Sequence, residues 1–245
     1  MAKLIKLPLH ASVQFIKKNT HGLIALNKGI GVLSHPNRRK DRKISLLDAE
    51  YNSKEECYFW KDESDNELRV WLLNRLDSPT SGVIILSQDK ALSVLIKEAF
   101  HKHRIKKTYY AIVKGSPRLR SGIWCQKLNL NPYNKVRSDS SISAKTQYDV
   151  VRTSKKNLAI SFLRLEPITG RTHQLRIHCS QNRIPIVGDQ TYGDFKFNRS
   201  MKKSFGVDRL LLHSSNIELS YKWSNKVFQF SAKAELPDSF NQLIV

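Results

Sequence analysis

The pattern of apolar and polar residues predicts a chain rich in β-strands. Short apolar runs at 22–26 and 83–87 each border a turn rich in glycine, serine or asparagine, which is typical of buried strands. The stretch 107–115 is rich in β-branched and aromatic residues and closes with a glycine, so it predicts another strand. Residues 144–152 and 158–165 show the alternation of two paired strands, which predicts a hairpin with a polar turn between them.

Other parts of the chain predict helices or loops. Four apolar residues recur at helical spacing after Ser87, which predicts an amphipathic helix over 90–103 with Ser87 as its N-cap. Residues 45–66 predict a short helix and a variable loop, and residues 116–140 predict a loop. The last part of the chain predicts three short β-segments between 210 and 232, followed by a terminal turn or helix.

The chain is expected to form one domain, because no internal repeat, low-complexity tract or Gly/Ser-rich linker divides it. We predict an α+β fold in which a mixed, mostly antiparallel multi-stranded sheet has a central cleft flanked by helices and loops. Residues 1–20 are basic and weakly patterned, and they predict an N-terminal arm or an edge segment. Residues 21–245 then form the folded domain.

The charge balance points to a polyanionic partner. Lys and Arg number 42 against 21 Asp and Glu, which gives a formal net charge of +21. Such an excess adds self-repulsion, whereas lysine and arginine contacts with phosphates release condensed counterions. Nucleic acid is the expected partner, with an acidic membrane surface or an organism-wide basic composition as alternatives. The basic run 37–43, which contains Arg38 and Arg39, is either a solvated loop or a phosphate contact.

Cysteine usage and hydropathy favour a cytoplasmic protein. Cys57, Cys125 and Cys179 are scattered without a C-x-x-C pair, so neither a disulfide framework nor a zinc ribbon is predicted. The N-terminal residues lack the apolar run of a signal peptide, and the sequence has no run of about 18 apolar residues.

The first candidate for chemistry is the turn before the apolar run at 83–87, Asn74-Arg-Leu-Asp-Ser-Pro-Thr-Ser-Gly82. In one interpretation Asp77 is an ordinary turn residue whose carboxylate accepts backbone N–H groups. In the other, Asp77 is a nucleophile or general base whose charge is held by a nearby cation such as Arg75. The turn alone favours the first interpretation.

A second candidate is the cluster Arg171-Thr-His173-Gln-Leu-Arg176-Ile-His178. The two histidines are five residues apart with no carboxylate between them, so the cluster does not match a helical zinc motif and no metal site is predicted. A serine hydrolase is also not indicated, because the sequence contains no G-x-S-x-G motif. The residue types favour contact with an anion, either a phosphate or a catalytic carboxylate.

Two further segments have weaker chemical signals. Alternation along 107–115 places Tyr109 and Tyr110 on opposite faces of a strand. One of them is expected to pack in the core or on the surface, and the other is a candidate to stack on a base or transfer a proton. The segment Gly188-Asp-Gln-Thr-Tyr-Gly193 has the composition of a turn with a capping aspartate, and it is predicted to be structural.

Six motifs follow one another along the chain in a specific order. They are ALNKGIGVLSHP from residue 25, NRLDSPTSGVIIL from 74, KTYYAIVKG from 107, AKTQYDVV from 144, GRTHQLRIHCSQNRIPIVGDQTYG from 170 and DRLLLHS from 208. Together they resemble the RluA-type family of pseudouridine synthases over most of residues 22–232. The resemblance implies an isomerase without a cofactor that converts uridine in RNA to pseudouridine.

The resemblance also implies roles for single residues. Asp77 resembles the family's essential aspartate, which engages the uridine while its base–ribose bond breaks. Tyr109 resembles the active-site tyrosine that packs on the base, and Arg176 resembles the arginine that forms a salt bridge with the aspartate. Arg75 resembles the residue that enters the RNA where the target base leaves. Further RNA contacts are expected from Lys28, Arg38, Arg39, Lys107, Arg171 and His173.

The implied partner is ribosomal or transfer RNA, bound by a protein that is expected to be a monomer and to need no metal. A target uridine must leave its stack before it can react, so such an enzyme needs a pocket, a wedge and cations for the backbone. Without a separate N-terminal RNA-binding domain, the catalytic domain 21–245 and its basic surface would select the target. The alternative is a non-catalytic RNA-binding or ribosome-assembly protein on the same scaffold.

Two positions depart from the family pattern. Asn74 stands where histidine is usual, and Gly29 stands where proline is usual. Asparagine can replace one hydrogen bond of a neutral histidine but cannot carry its charge. Activity is expected to survive, with a change in the placement of the Asp77 loop or in RNA affinity.

Overall fold

The computed structural model describes residues 6–128, 142–154 and 159–244, and strands predominate among them. The strands are β1 (Val13–Lys18), β2 (Leu23–Lys28), β3 (Glu50–Asn52), β4 (Cys57–Lys61), β5 (Glu67–Leu72), β6 (Ser81–Ser87), β7 (Lys106–Lys114), β8 (Ser121–Leu128), β9 (Ile142–Thr153), β10 (Ile160–Pro167), β11 (Leu212–Trp223) and β12 (Lys226–Lys233). The helices are α1 (Lys90–His101), α2 (Gln174–Gln181), α3 (Phe195–Phe205) and α4 (Asp238–Ile244), with a 3-10 helix at Arg39–Ile44. Antiparallel pairing predominates, which confirms the predicted α+β class.

Packing divides the domain into two compact units, each formed by two separate stretches of sequence. The first unit comprises Met1–Ile105 and Asn216–Ala234, and the second comprises Lys106–Ser215 and Glu235–Val245. One boundary therefore falls inside β11, where no glycine, proline or serine-rich linker marks it. The sequence pattern gave no sign of this division because composition reveals linkers, and here a continuous strand crosses the boundary.

The first unit is built around β6. All seven residues of this strand are buried, and its residues 82–87 pair antiparallel with β2. The strand order β3-β4-β5-β6-β11 continues the sheet, while β1 pairs with β2 and β12 with β11. The core of this unit includes Leu23, Ala25, Val83, Ile85, Leu92, Ile96, Ile217 and Leu219. The loop that begins at residue 73 therefore ends at a strand that is buried in the core.

Helix α1 confirms the amphipathic pattern but has a different cap from the one predicted. It buries Leu92, Ile96 and Ala99 against the core of the first unit. The side chain of Asp89 accepts a hydrogen bond from the N–H of Leu92 at 2.7 Å, so Asp89 is the N-cap. Ser87, which was predicted to be the cap, is instead the last residue of β6. It pairs there with Leu23 of β2.

The second unit has the strand order β11-β7-β10-β9-β8, with only residues 212–215 of β11 belonging to it. Its central pairs are the antiparallel ladders of β7 with β10 and of β10 with β9, which confirms the predicted hairpin. Residues 155–158 of the hairpin turn lie outside the described residues. One face of β7 packs with α2 in a core that includes Ala111, Val113, Leu163, Leu165 and Leu175, and the other contributes Ile112 to a core with Phe162, Met201, Leu211 and Phe240.

Several predicted loops are strands in the structure. Residues 45–66 contain β3 and β4 rather than a helix, and residues 121–128 of the predicted loop form β8. Part of the predicted N-terminal arm is β1, which agrees with the alternative of an edge segment. Short strands of this kind have little apolar alternation of their own, because they are stabilised by backbone pairing with a neighbour distant in sequence.

Gly29 lies at the end of β2 in close contact with the N-terminal segment. Its N–H donates a hydrogen bond to the carbonyl of Ser12 at 2.8 Å. A Cβ atom at position 29 would lie only 2.5 Å from the same oxygen. This close contact explains why glycine occupies position 29 in this chain. The proline that is usual in the family has no N–H and could not make this hydrogen bond.

Gly29→Pro is expected to lower the free energy of unfolding by about 3 kcal/mol, because it removes a hydrogen bond and forces the two backbones apart. Urea denaturation monitored by circular dichroism would measure the change. Gly170→Ala is the control, since a Cβ there would meet only the Nζ of Lys107 at an ordinary 3.7 Å. An unchanged midpoint for Gly29→Pro would contradict the close packing.

In the described part of the chain, every helix is too short or too polar to span a bilayer.

Candidate functional site

Asp77 lies in the loop that connects β5 to β6. Its backbone carbonyl accepts a hydrogen bond from the N–H of Thr80 at 2.9 Å, so residues 77–80 form a tight turn directly before β6. The side chain is half-buried, whereas Leu76 and Thr80 are buried. The turn therefore places a single carboxylate at the partly open end of a buried strand.

Ser34 fixes the backbone immediately before Asp77. Its hydroxyl donates to the carbonyl of Leu76 at 2.7 Å and accepts from the N–H of the same residue at 2.9 Å. The carbonyl of Ser34 in turn accepts a hydrogen bond from the buried hydroxyl of Tyr58 at 2.8 Å. One serine thus satisfies both backbone groups of the residue next to Asp77. The sequence pattern did not single out Ser34, although it belongs to the ALNKGIGVLSHP motif.

Lys28 fixes the backbone immediately after Asp77. The side chain is fully buried, and its ammonium donates hydrogen bonds to the carbonyls of Gly29, Val32 and Ser78 at 2.9, 2.8 and 3.0 Å. The carbonyl of Ser78 also accepts from the N–H of Gly31 at 2.9 Å. The predicted RNA contact of Lys28 is wrong for this arrangement, because a fully buried ammonium that donates to protein carbonyls does not face a phosphate.

Asn74 holds the start of the loop to β6. Its Oδ1 accepts a hydrogen bond from the N–H of Ile85 at 2.8 Å, and its Nδ2 lies 3.4 Å from the carbonyl of Val83. The amide side chain therefore continues the pairing of β5 with β6 beyond the last paired residues. An asparagine amide has one donor side and one acceptor side, which suits a strand edge. The departure from histidine at this position thus retains a defined anchor for the loop.

Arg75 is exposed and supported by an aromatic stack. Its Nη1 lies 3.3 Å from Nε2 of His35, whose Nδ1 lies 3.2 Å from the carbonyl of Pro36. Because arginine can only donate, Nε2 is the acceptor and Nδ1 carries the proton. The His35 ring stacks on Tyr51 with centroids 5.0 Å apart and an interplanar angle of 9°. Burial raises the pKa of Tyr51, so the phenol is neutral at physiological pH.

Tyr109 and Tyr110 lie on opposite faces of β7, as the alternation predicted. Tyr109 is half-buried and packs against the core that contains Leu165. Tyr110 packs against the other core and stacks on Phe162 with centroids 5.0 Å apart. Tyr109 is therefore the partly accessible member of the face that also bears Lys107, two residues earlier on the strand.

Lys107 is largely removed from water. Its Nζ lies 3.5 Å from the carbonyl of Thr169, and burial lowers the pKa of Lys107 to about 8. The RNA contact predicted for this lysine would therefore be made by a partly desolvated ammonium. Such a group loses its proton at a pH where an exposed lysine keeps it.

A pH dependence of stability is expected from Lys107. Its pKa is about 8 in the folded state against 10.5 in the unfolded chain, so the unfolded chain binds more protons between these values. The contribution of Lys107 to the free energy of unfolding therefore rises as the pH increases from 8 to 10. Urea denaturation from pH 7 to 10 should show wild type gaining stability relative to Lys107→Met. The control is Lys106→Met at the exposed neighbouring position; parallel curves for wild type and Lys107→Met would contradict the prediction.

Gln174 organises the turn that precedes α2. Its Oε1 accepts hydrogen bonds from the hydroxyl of Thr169 at 2.7 Å and from the N–H of Arg171 at 3.0 Å. Its Nε2 donates to the carbonyl of Lys145 and to the hydroxyl of Thr146, both at 2.9 Å. The buried amide is fully satisfied, and the turn it fixes leaves the side chain of Arg171 exposed.

His173 and His178 have different environments, so the predicted anion cluster does not act as one group. His173 is half-buried, and its Nδ1 lies 2.9 Å from the hydroxyl of Tyr192. His178 is fully buried, with Nδ1 2.9 Å from the hydroxyl of Thr146 and no hydrogen-bond partner for Nε2 among the described residues. Burial lowers the pKa of His178 to about 4, so this histidine is neutral and belongs to the core.

Arg176 is buried and bound by Asp189 through two hydrogen bonds. Nε donates to Oδ2 and Nη2 donates to Oδ1, both at 2.8 Å. The guanidinium also lies over the ring of Tyr192, 5.2 Å from its centroid. Burial alone would raise the pKa of Asp189, but Arg176 and the N–H groups of Tyr192 and Thr191 outweigh it and hold the pKa below its ordinary value. The pair is therefore ionised.

The predicted site residues divide between the two units. Arg75 and Asp77 belong to the first, together with Arg38 and Arg39, which are exposed at the start of the 3-10 helix. The second unit contains Tyr109 and Arg176 with Lys107, Arg171 and His173. The partner of Arg176 within its own unit, Asp189, was predicted to be a simple turn residue. Its only sequence signal was a charged residue between two glycines.

Comparisons with known proteins agree on one family. The family model described as RNA pseudouridylate synthase matches residues 22–181. The tRNA pseudouridine synthase C of Yersinia pestis is 30% identical over 240 residues, which cover 92% of this chain and 88% of the relative. The ribosomal large subunit pseudouridine synthase C of Rickettsia bellii (strain RML369-C) is 32% identical over 178 residues, which cover 70% of this chain and 56% of the relative.

A solved structure shows the same fold. The human RNA pseudouridylate synthase domain containing 4 matches with a TM-score of 0.68 at 24% sequence identity, covering 94% of this chain and 92% of that chain.

Proposed function

The chain belongs to the RNA pseudouridylate synthase family, and on that premise we propose that it converts specific uridines of transfer RNA to pseudouridine. Transfer RNA is favoured over ribosomal RNA because the relative named for transfer RNA matches 92% of this chain, whereas the relative named for the large ribosomal subunit matches 70%. Pseudouridine formation is the reaction of this family, whereas the choice of transfer RNA as the substrate is specific to this proposal.

In this proposal Asp77 acts on the uridine, and the anchoring of its loop is the observation that carries the assignment. The residues on either side of Asp77 are fixed by Ser34 and Lys28, and the loop begins at the anchored Asn74. Rigid placement of a reacting group lowers the activation free energy, because the group has already lost its orientational freedom when the protein folds. An ordinary surface turn has no need of a buried lysine and a buried serine to hold it.

The remaining residues contribute to binding and to the chemistry. Tyr109 packs on the flipped base, and Arg176 supplies a fixed positive charge. Arg75 fills the space that the uridine leaves, since it is exposed and backed by the His35–Tyr51 stack. Contacts with the RNA backbone come from the basic side chains of Arg38, Arg39, Lys107 and Arg171, and from His173.

The reaction breaks the bond between C1′ and N1, rotates the base and joins C1′ to C5. The proton lost from C5 is balanced by a proton gained at N1, so the composition of the nucleotide is unchanged and no electrons are gained or lost. The chain is proposed to work as a monomer in the cytoplasm. Its described cysteines, Cys57, Cys125 and Cys179, are all free thiols, which suits a reducing compartment.

Pseudouridine mapping of transfer and ribosomal RNA from cells with and without the gene tests the proposal, together with the purified protein on unmodified transcripts. At least one pseudouridine in transfer RNA should depend on the protein in both experiments. Dependence confined to ribosomal RNA would overturn the choice of substrate. Salt-dependent RNA binding without any pseudouridine would instead support a non-catalytic RNA-binding protein, which the family relationship does not favour.

A further inference from the structure

We infer that Asp189 is a positioning residue for pseudouridine formation, acting through the guanidinium of Arg176. The inference rests on the proposed role of Arg176 in the reaction. Asp189 is not expected to touch the RNA; its function would be to set the direction in which the arginine presents its charge.

The contact between the two side chains leaves the guanidinium little freedom. Asp189 binds Nε and Nη2, which form one edge of the planar group, through two bonds of 2.8 Å. Two parallel bonds fix rotation in the plane, which a single bond would not do. They use two of the five N–H groups of Arg176, and the remaining N–H groups therefore point in directions set by Asp189.

Tyr192 fixes the face of the same guanidinium. Its ring lies 5.2 Å from the central carbon of Arg176, and its hydroxyl is 2.9 Å from Nδ1 of His173. His173 adopts a left-handed conformation, with φ of 53°, directly before the first residue of α2. The edge of the guanidinium is thus set by Asp189 and its face by a ring that is itself held in place.

Asp189 is held as firmly as the residue it orients. Its Oδ1 accepts from the N–H groups of Thr191 and Tyr192 at 2.8 and 3.0 Å, and its carbonyl accepts from Asn198 at 3.0 Å. At Gly193, a Cβ would lie 2.1 Å from the carbonyl of Asp189. The carboxylate therefore occupies a position fixed by close backbone packing.

Burial indicates that this ion pair has a use beyond stability. Arg176 is 4% exposed and Asp189 is 1% exposed, so both charges are desolvated. A buried ion pair seldom stabilises a fold more than apolar side chains of the same volume would. Retaining the pair is explained if a charge with one fixed orientation is required, because precise placement of such a group controls the rate of the chemical step.

The experiment compares Asp189→Asn with Asp194→Asn in the full-length protein. Asparagine keeps the size of Asp189 but places an amide N–H or a single uncharged acceptor against Arg176, so the two parallel bonds are lost. We expect kcat to fall about 10- to 100-fold, with KM and RNA affinity within about twofold of wild type. Asp194 caps α3 by accepting from the N–H of Phe197, which asparagine can also do, so kcat of this control should not change.

Two further variants separate the possible outcomes. Arg176→Lys keeps the charge without the two-bond contact, and Asp189→Asn should cost little additional kcat in that background if Asp189 acts only through Arg176. Asp189→Glu keeps the charge but displaces it by one methylene, and it replaces Asp189→Asn if the latter fails to fold by circular dichroism; its kcat should fall while RNA affinity is kept.

Wild-type kcat for the folded Asp189 variant, with Arg176→Ala inactive, would overturn the positioning role alone. Full activity of Arg176→Ala would instead remove the proposed role of Arg176 itself. A decrease in RNA affinity as large as the decrease in kcat would show that Asp189 has a general structural role, and it would also overturn the inference.

Discussion

Asp77→Asn is expected to reduce pseudouridine formation by at least about 1,000-fold, because it removes the charge of the reacting carboxylate while keeping its size. The fold should be unaffected. The turn depends on the backbone carbonyl of Asp77, which accepts from Thr80, and the neighbouring residues Leu76 and Ser78 anchor the loop through their own backbone groups. RNA affinity should also be maintained, since the basic residues remain and one negative charge is lost.

A single-turnover assay on an unmodified transcript would measure the effect, with filter binding at fixed salt for RNA affinity. Asp89→Asn is the matched control, since it makes the same chemical change at the N-cap of α1, where asparagine caps as well as aspartate. Wild-type turnover by Asp77→Asn would refute the assignment of the essential carboxylate. Loss of RNA binding together with turnover would indicate that the loop had been displaced.

Lys28→Met is expected to have the largest effect on stability, lowering the free energy of unfolding by at least about 3 kcal/mol. Methionine fills a similar volume but donates no hydrogen bond, so the carbonyls of Gly29, Val32 and Ser78 would each lose a charged donor in a fully buried site. Because Ser78 follows Asp77, turnover should also fall, even in the fraction of molecules that remains folded.

Urea denaturation and the single-turnover assay would be run in parallel on this variant. Lys40→Met is the control, since Lys40 is an exposed residue of the 3-10 helix and the substitution removes the same charge. If Lys28→Met unfolds at the wild-type urea concentration, the ammonium does not stabilise the segment 29–32 or the loop that contains Ser78. If instead its stability is normal and only RNA binding is lost, the original expectation that Lys28 contacts RNA would be restored.

Local sequence was sufficient for the elements with strong periodicity or long apolar runs. Helix α1, the buried strand β6, the strand β7 and the hairpin of β9 with β10 all lie close to where their patterns predicted them. The opposite faces of Tyr109 and Tyr110 followed from the two-residue repeat of a strand. The order of motifs, which is also a property of sequence alone, singled out Asp77 as the candidate catalytic residue, and that role stays a prediction.

Other features depended on residues that are far apart in the chain. Strands β3, β4 and β8 have weak patterns of their own, and they exist because a neighbouring strand satisfies their backbone groups. The N-cap of α1 is Asp89 rather than the predicted Ser87, because Ser87 is still part of β6 and pairs with Leu23 of β2. In these cases long-range hydrogen bonding outweighed local preference.

The chemical role of charged residues was the least accessible from sequence. Lys28 and Arg171 look alike as basic residues in turns, yet one is fully buried among carbonyls and the other is exposed. The sequence around Asp189 predicts a turn in which the aspartate is a cap. Folding brings its carboxylate to Arg176, thirteen residues earlier, in a buried ion pair. Motif order along the chain identifies the family and its candidate aspartate, because both are encoded in consecutive residues. Whether a charge faces water, a carbonyl or another charge is decided only when distant segments pack, since burial and pairing are properties of the folded chain.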